Sequence, residues 1–208
     1  MNEKRRGFVL ILSAPSGAGK STLARSLLDH YDDIKVSIST TTRKPRPGET
    51  HAVDYFFVEK EVFQKEIENN NFLEWAEVFG NFYGTSKVVI EETLADGQDI
   101  ILDIDWQGAR SIRESLPAGD VVSVSIAPPS LQSLRDRLEN RGQDKAEVID
   151  NRMKQASEEM SHWHEFEYLV INDDLEQGKA DLVAIVRAER LTRDRMAWQA
   201  KKITEGFV

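Results

Sequence analysis

The 208-residue chain contains no cysteine, which excludes disulfides, thiolate metal sites and cysteine nucleophiles and is compatible with an intracellular compartment. Positive charge is also in deficit, because 27 Lys and Arg residues stand against 36 Asp and Glu residues and leave a net charge of −9. A protein with this balance has no bulk electrostatic attraction for nucleic acid or anionic membranes. Any cationic binding site must therefore be local.

Long apolar runs are absent as well. The longest run near the start covers residues 8–12, which is five residues and far short of the roughly 20 that span a bilayer or of a signal-peptide core. The chain is 40% hydrophobic and 30% charged, as in ordinary globular proteins. We therefore predict a soluble cytoplasmic protein made of one domain, with no membrane or nucleic-acid polymer as partner.

Apolar runs alternate with helix-periodic segments along most of the chain. Continuous apolar runs, typical of strands covered on both faces, occur at residues 8–12, 100–102, 121–126 and 168–171. Helices are predicted at about residues 20–30, 107–116, 130–140, 145–166 and 175–202. This order predicts an α/β fold with a doubly wound parallel sheet and ligands at the carboxyl ends of its strands.

Residues 36–85 do not follow this alternation. Short strand-like pieces at residues 36–39, 55–58 and 72–78 surround one helix at about 60–70, which predicts a mixed α+β insertion. Residues 43–48 carry three cations and two prolines and are expected to form an exposed, stiffened turn.

A candidate phosphate-binding loop follows the first strand, where residues 13–21 read Ser-Ala-Pro-Ser-Gly-Ala-Gly-Lys-Ser. Glycines let backbone N–H groups turn toward a polyphosphate, and the helix N-terminus adds a favourable dipole. Lys20 would reach the β and γ phosphates, and Ser21 would hold Mg²⁺. Ala14 replaces the first glycine of the usual pattern, which leaves the geometry of the first turn open. A chance Gly/Ser turn is the alternative, but the strand-to-helix context favours the loop.

Two acidic residues follow the strand at 100–102. Asp103 would bind Mg²⁺ through water beside Ser21. The period of a strand places Asp105 on the same face, pointing into the same crevice. Asp105 is equally well explained as the cap of the helix that begins near Gln107, so its role stays open at this point.

The arginines indicate the reaction class. Phosphate-loop proteins include GTPases, motors and small-molecule kinases, but the guanine-reading motif of GTPases is absent and the chain is short for a motor. An acceptor that already carries phosphate needs cations to offset its repulsion from ATP. The candidates are Arg43 and Arg46 for the acceptor, and Arg137, Arg141 and Arg152 for the transferring group. Solvated helix faces remain the alternative for each arginine, and especially for Arg135.

Several segments together resemble the guanylate kinase family, over about residues 8–187. The similar segments are residues 13–22, 37–43, 45–49, 54–55, 72–76, 83–85, 102–108, 126–129 and 172–174. The resemblance implies a P-loop NTPase-type fold that transfers the γ-phosphoryl group of ATP to GMP with Mg²⁺. It also implies a core at about residues 4–35, 86–125 and 165–208, a GMP-binding insertion at 36–85 and a helical lid at 126–164.

The resemblance also implies roles for individual residues. ATP would contact Ala14, Pro15, Ser16, Gly17, Ala18, Gly19, Lys20, Ser21, Thr22 and Asn172. The GMP phosphate would contact Arg43, Arg46, Tyr55 and Tyr83, and the guanine would contact Ser39, Glu74, Thr85 and Asp105. These types suit guanine, whose N–H donors match carboxylates and whose O6 and N7 acceptors match hydroxyls. On the residues alone, the alternatives are a solvent-facing strand residue for Glu74 and ordinary half-buried aromatics for Tyr55 and Tyr83.

One alternative function remains open on the residues alone. Some guanylate-kinase-like modules bind phosphorylated peptides without catalysis, and these typically lack a working phosphate loop. Here Lys20, Ser21 and Asp103 are all present, which favours the enzyme. The expected substrates are ATP and GMP, and a homo-oligomer is possible. None of the four histidines needs a catalytic role, because the acceptor phosphate is mostly ionised at pH 7.

Overall fold

The computed structural model describes residues 4–78, 80–140 and 145–206. The strands are β1 (Val9–Ser13), β2 (Ile34–Val36), β3 (Thr40–Thr41), β4 (Phe56–Phe57), β5 (Phe72–Val78), β6 (Asn81–Ser86), β7 (Asp99–Asp103), β8 (Val121–Ala127) and β9 (Tyr168–Ile171). The α-helices are α1 (Lys20–His30), α2 (Lys60–Glu68), α3 (Lys87–Ala95), α4 (Trp106–Ser115), α5 (Leu131–Asn140), α6 (Ala146–Ser161), α7 (Leu175–Arg190) and α8 (Arg193–Glu205).

The main sheet is parallel and has the strand order β2-β7-β1-β8-β9. Every residue of its central strand β1 is buried, as its continuous apolar run predicts. Alternate residues of β1 point to opposite faces, so Leu10 packs in one core cluster with residues of α1 and α7, and Ile11 packs in another with residues of α3 and α4. The predicted α/β fold with a doubly wound parallel sheet is therefore confirmed.

A second, smaller sheet has the order β4-β3-β6-β5 and mixes parallel and antiparallel pairs. Helix α2 covers it with Phe63, whose ring stacks on Phe72 at 4.5 Å and on Phe82 at 5.5 Å between centroids. Gly84 on β6 lies under these rings, and a Cβ there would approach Phe63 and Phe72 to 3.0 Å. These aromatic contacts hold helix α2 against strands β5 and β6.

Helices α5 and α6 pack on each other through a small apolar cluster of Leu134, Leu138, Ile149 and Ala156. The end of α6 also contacts α4, because His162 stacks on Trp106 with ring centroids 3.7 Å apart. Within the described ranges, no helix combines the length and the apolar character needed to cross a bilayer. The division into core, insertion and lid remains a prediction.

Several predicted boundaries were wrong. The expected strand at 36–39 does not exist, because Val36 ends β2 in the main sheet and the next strand begins at Thr40. Strand β2 is a sheet edge with only Ile34 buried, so its apolar signal is weak. The expected helix at 175–202 is interrupted at Leu191 and Thr192. Strand β6 and helix α3 were not predicted.

Candidate active site

The loop between β1 and α1 has the geometry that phosphate binding requires. Gly17 and Gly19 have φ values of 97° and 99°, in the left-handed region that glycine adopts without strain. The backbone N–H of Ala18 donates to the Pro15 carbonyl at 3.0 Å, which tightens the turn. Among the described non-glycine residues only Ala52 and Asn70 have positive φ, so the alanine at position 14 needs no glycine-like conformation.

Asn172 supports this loop from behind. Its side chain is buried, and its Nδ2 donates to the Ala18 carbonyl oxygen at 2.7 Å. A Cβ on Gly19 would lie 2.3 Å from the same Nδ2, so the two residues fit only with glycine there. Asn172 was predicted to contact ATP. Its described contacts hold the loop, and direct contact with the nucleotide remains a prediction.

A cavity opens in front of the loop. Its lining residues are Ala14, Pro15, Ser16, Gly17, Gly19, Lys20, Ser21, Thr22, Asp103 and Glu159. Of the residues predicted to bind ATP, only the buried Ala18 and Asn172 are missing from this lining. Lys20 forms an ion pair with Asp103 across the cavity floor. The structure thus brings the predicted loop, its lysine and the carboxylate at the end of β7 into one place.

The oxygen atoms around this cavity fit a magnesium ion bound together with a nucleotide. Ser21 and Asp103 both line the cavity, and the Glu159 oxygen Oε2 is buried without a hydrogen-bond partner among the described residues. The described ranges contain no group of three or more His, Cys, Asp or Glu side chains placed to hold a metal by themselves. Mg²⁺ commonly uses one or two carboxylates, substrate phosphates and waters, which agrees with this sparse donor set.

A second cavity lies on the other side of the β7 end. It is lined by Val36, Ser37, Ser39, Asp54, Tyr55, Thr85, Leu102, Asp103 and Ile104. Three residues predicted to bind GMP, namely Ser39, Tyr55 and Thr85, are in this lining. Asp103 lines both cavities, so the two spaces meet at the carboxyl end of β7.

Glu74, Thr85 and Asp105 form a polar group beside the second cavity. Glu74 and Thr85 are cross-strand partners on β5 and β6, and the Thr85 hydroxyl donates to Glu74 Oε1 at 2.6 Å. Burial raises the pKa of Glu74, the Thr85 hydroxyl opposes this shift, and the charge of Asp105 adds to it. Asp105 Oδ1 also accepts the Gly108 N–H at 2.8 Å. Asp105 therefore caps α4 while its charge still acts on Glu74.

Arg43 lies among the residues predicted to hold the acceptor phosphate. Its guanidinium lies over the Tyr55 ring at 5.4 Å. Hydrogen bonding to Glu49 is the main cause of a raised Arg43 pKa, burial opposes the shift, and Tyr83 adds to it. The Arg43 nitrogens Nη1 and Nη2 each donate a hydrogen bond to the Glu49 carboxylate, at 2.9 and 2.8 Å. The Arg46 side chain is exposed, while its backbone N–H donates to the same Glu49 at 2.7 Å. Glu49 was not predicted as a site residue.

Of the three arginines predicted to act on the transferring group, Arg137 and Arg152 are among the described residues. Arg137 Nη2 donates to the Asn172 carbonyl at 2.8 Å, which brings it to the back of the phosphate loop. Arg152 lies on α6, and the predicted Arg141 lies outside the described residues. Arg135 pairs with Asp150 at 2.9 Å on an exposed surface, as the solvated-face alternative for it predicts.

Glu159 is a candidate functional residue that the sequence reasoning missed. It projects from α6 into the loop cavity, although it is 56 positions from Asp103 and 139 from Lys20 in the chain. One signal was available: Arg152 and Glu159 are seven residues apart, which places them on the same face two helical turns apart. An α-helical lid that presents an arginine would therefore present this glutamate as well.

The fold and the two cavities define a class of protein. A phosphate loop at the carboxyl end of a parallel sheet, beside a second polar cavity, is the arrangement of a phosphate-loop enzyme that brings a nucleotide together with a second small substrate.

Comparison with known proteins gives the family. A family model described as guanylate kinase matches residues 6–189. A guanylate kinase of Aliivibrio fischeri is 51% identical over 205 residues, which cover 98% of each chain. One of Maricaulis maris is 51% identical over 195 residues, covering 94% of this chain and 89% of the relative. The crystal structure of guanylate kinase from Anaplasma phagocytophilum has a TM-score of 0.72 and 37% identity, covering 92% of this chain and 90% of that one.

The chain belongs to the guanylate kinase family. The family and the enzyme class expected from the sequence are therefore confirmed.

Proposed function

We propose that the protein transfers the γ-phosphoryl group of ATP to GMP and releases ADP and GDP. The observation that carries this proposal is that the two cavities meet at Asp103. A triphosphate in the loop cavity and a monophosphate in the second cavity would then direct their phosphates toward each other. Holding two reactants in this way is the main source of rate in phosphoryl transfer.

The polar group at the second cavity supports guanine as the base. Glu74 and Asp105 offer carboxylate oxygens to the N–H donors of guanine, and the Ser39 hydroxyl in the cavity lining matches its O6 or N7 acceptor. The Thr85 hydroxyl donates its proton to Glu74 and would have to release that bond before it could donate to guanine. Adenine lacks the N1–H and 2-amino donors of guanine, so these carboxylates would lose the donors that guanine supplies. Unpaired buried polar groups of this kind give discrimination of up to ~10⁴-fold.

Arg43 is the proposed anchor of the acceptor phosphate, with Tyr55, Tyr83 and Arg46 around it. Its planar fork now binds the Glu49 carboxylate, which has the shape and charge that a phosphate edge would present. We expect GMP to compete with Glu49 for this fork. The same contact keeps the guanidinium oriented before the substrate arrives.

Catalysis would rest on charge neutralisation by this chain's own cations. Lys20 would move from Asp103 to the β and γ phosphates, and Arg137, Arg141 and Arg152 would close over the transferring group. Magnesium, held by Ser21 and through water by Asp103, would neutralise charge on the ATP phosphates when bound. No general base is required, because the second pKa of a phosphate monoester is near 6.

Closure of the predicted insertion and lid over the core would exclude water and limit hydrolysis of ATP. A cytoplasmic location is part of the same proposal, and a chain without cysteine is compatible with it.

A steady-state assay with ATP and Mg²⁺ tests the proposal, with GMP, AMP, UMP and CMP supplied one at a time. GMP is expected to give the highest kcat/KM by a wide margin. Faster turnover of AMP than of GMP would reject the assignment. ATP binding that survives Lys20→Ala without loss would instead favour the non-catalytic, phosphopeptide-binding alternative.

A further inference from the structure

Glu159 places a negative charge where the ATP phosphates are expected. It lines the phosphate-loop cavity together with Lys20, Ser21 and Asp103. Its Oε2 atom is buried, and no described residue donates a hydrogen bond to it. A buried carboxylate oxygen without a donor is unfavourable, so a ligand that brings a donor or a positive charge to it gains affinity.

Lys20, the cation that lines this cavity, forms its ion pair with Asp103. Lys20 also favours the charged form of Glu159. Burial, the main influence on Glu159, and the charges of Asp105 and Glu158 raise its pKa. Among the described residues that line the cavity, Asp103 and Glu159 carry negative charge and Lys20 carries positive charge.

Two forms of ATP would meet this glutamate differently. A metal-free triphosphate brings only negative oxygens, and these repel a carboxylate in a partly desolvated cavity. A triphosphate that carries a hydrated magnesium ion brings water O–H groups and positive charge, which a carboxylate oxygen accepts. One residue can thus oppose the first form and assist the second.

We propose that Glu159 makes the loop cavity selective for the nucleotide that arrives with its magnesium ion over the metal-free nucleotide. This inference rests on the proposed function, in which the loop cavity is the ATP site. Glu159 is then a specificity-determining residue contributed by the lid helix α6 to the site on the sheet.

Equilibrium binding of the non-hydrolysable β,γ-imido analogue of ATP tests the inference without turnover. Its Kd is measured by calorimetry with excess Mg²⁺ and with excess EDTA, for the wild type and Glu159→Gln. Glutamine keeps the size of the side chain and removes its charge. We expect Glu159→Gln to bind the metal-free analogue about tenfold more tightly and the magnesium form no more tightly. The Kd measured in EDTA divided by the Kd measured in Mg²⁺ should therefore fall about tenfold.

The control is Glu158→Gln, which removes the same charge from the adjacent, exposed position of α6. It is expected to leave the ratio unchanged. Glu159→Ala provides a second variant if Glu159→Gln does not fold, and the same gain in metal-free affinity is expected.

An unchanged ratio in the Glu159 variants, or an equal fall in Glu158→Gln, would overturn the inference while ATP binding itself still supported the proposed function. A wild type that binds the analogue in neither condition would overturn both.

Discussion

The two ends of strand β7 carry the same residue type in opposite settings. Asp99 begins the strand, is 0% exposed, and accepts hydrogen bonds from Arg5 at 2.6 Å, Arg190 at 2.8 Å and the Phe8 N–H at 3.0 Å. The Asp103 side chain ends the strand, is 50% exposed, and pairs with Lys20 beside two cavities. Strand β7 thus satisfies the charge of one aspartate internally at its amino end and leaves the charge of the other available to ligands at its carboxyl end.

The largest expected effect is a difference in stability between variants of the two aspartates. Asp99→Asn removes the charge that two arginines share in a buried site, so we expect the free energy of unfolding to fall by about 3–5 kcal/mol. Asp103→Asn is the matched control and should change it by less than about 1 kcal/mol, because its side chain is half exposed. Urea denaturation followed by circular dichroism measures both. Equal losses of unfolding free energy in the two variants would show that the two aspartates do not differ in this way.

Lys20→Ala tests whether the carboxyl end of β7 is the place of catalysis. We expect kcat to fall by about 10²–10³-fold, because one preorganised charge on the transferring group is lost, with little change in the midpoint of denaturation. Lys179→Ala serves as the control, since Lys179 pairs with Glu176 on the surface of α7. Retention of wild-type kcat in Lys20→Ala would remove the lysine from the proposed mechanism.

Glu74→Gln tests base recognition next to the same strand end. A hydrogen bond to a charged group contributes about 1.5–3 kcal/mol, so we expect the KM for GMP to rise about 10–100-fold. The KM for ATP should change much less, because ATP is assigned to the other cavity. The two constants from steady-state kinetics decide the point, and an equal rise in both would show that Glu74 does not read guanine.

The smallest expected effect is a pH dependence of GMP binding. Burial raises the pKa of Glu74, and the proposed contact needs its ionised form. As the pH is lowered, the carboxyl takes up its proton at a higher pH than an ordinary glutamate, and GMP affinity is expected to weaken there. Calorimetric titration with GMP at a series of pH values measures this loss of affinity at low pH. In Glu74→Gln this loss of GMP affinity at low pH should disappear. If it persists in the variant, another titrating group causes it.

Local patterns predicted the parts of the site that lie close together in the chain. The phosphate loop depends on a short run of glycines next to a strand, and its geometry follows from that run. In the main sheet, β1, β7, β8 and β9 were predicted from continuous apolar runs. Strand β2 was missed, because a lysine interrupts its short apolar run and only Ile34 is buried.

Contacts across the chain could not be predicted from the residues alone. The hydrogen bond from Thr85 to Glu74 depends on the register of β5 and β6. The hydrogen bond from Arg43 to Glu49 depends on the shape of an exposed turn. Asp105 was left open between a helix cap and a recognition residue, and its position allows it to act as both. Glu159 was missed, although its seven-residue spacing from Arg152 places both residues on one face of a helix.

The central claim is that two nucleotides meet at Asp103 and that Glu74 and Asp105 select the purine. A crystal structure with GMP and the β,γ-imido analogue of ATP tests it most directly. The account predicts the guanine ring against Glu74 and Thr85, the GMP phosphate at Arg43, and the γ-phosphate of the analogue at Lys20. A guanine ring bound away from Glu74 and Asp105 would contradict it.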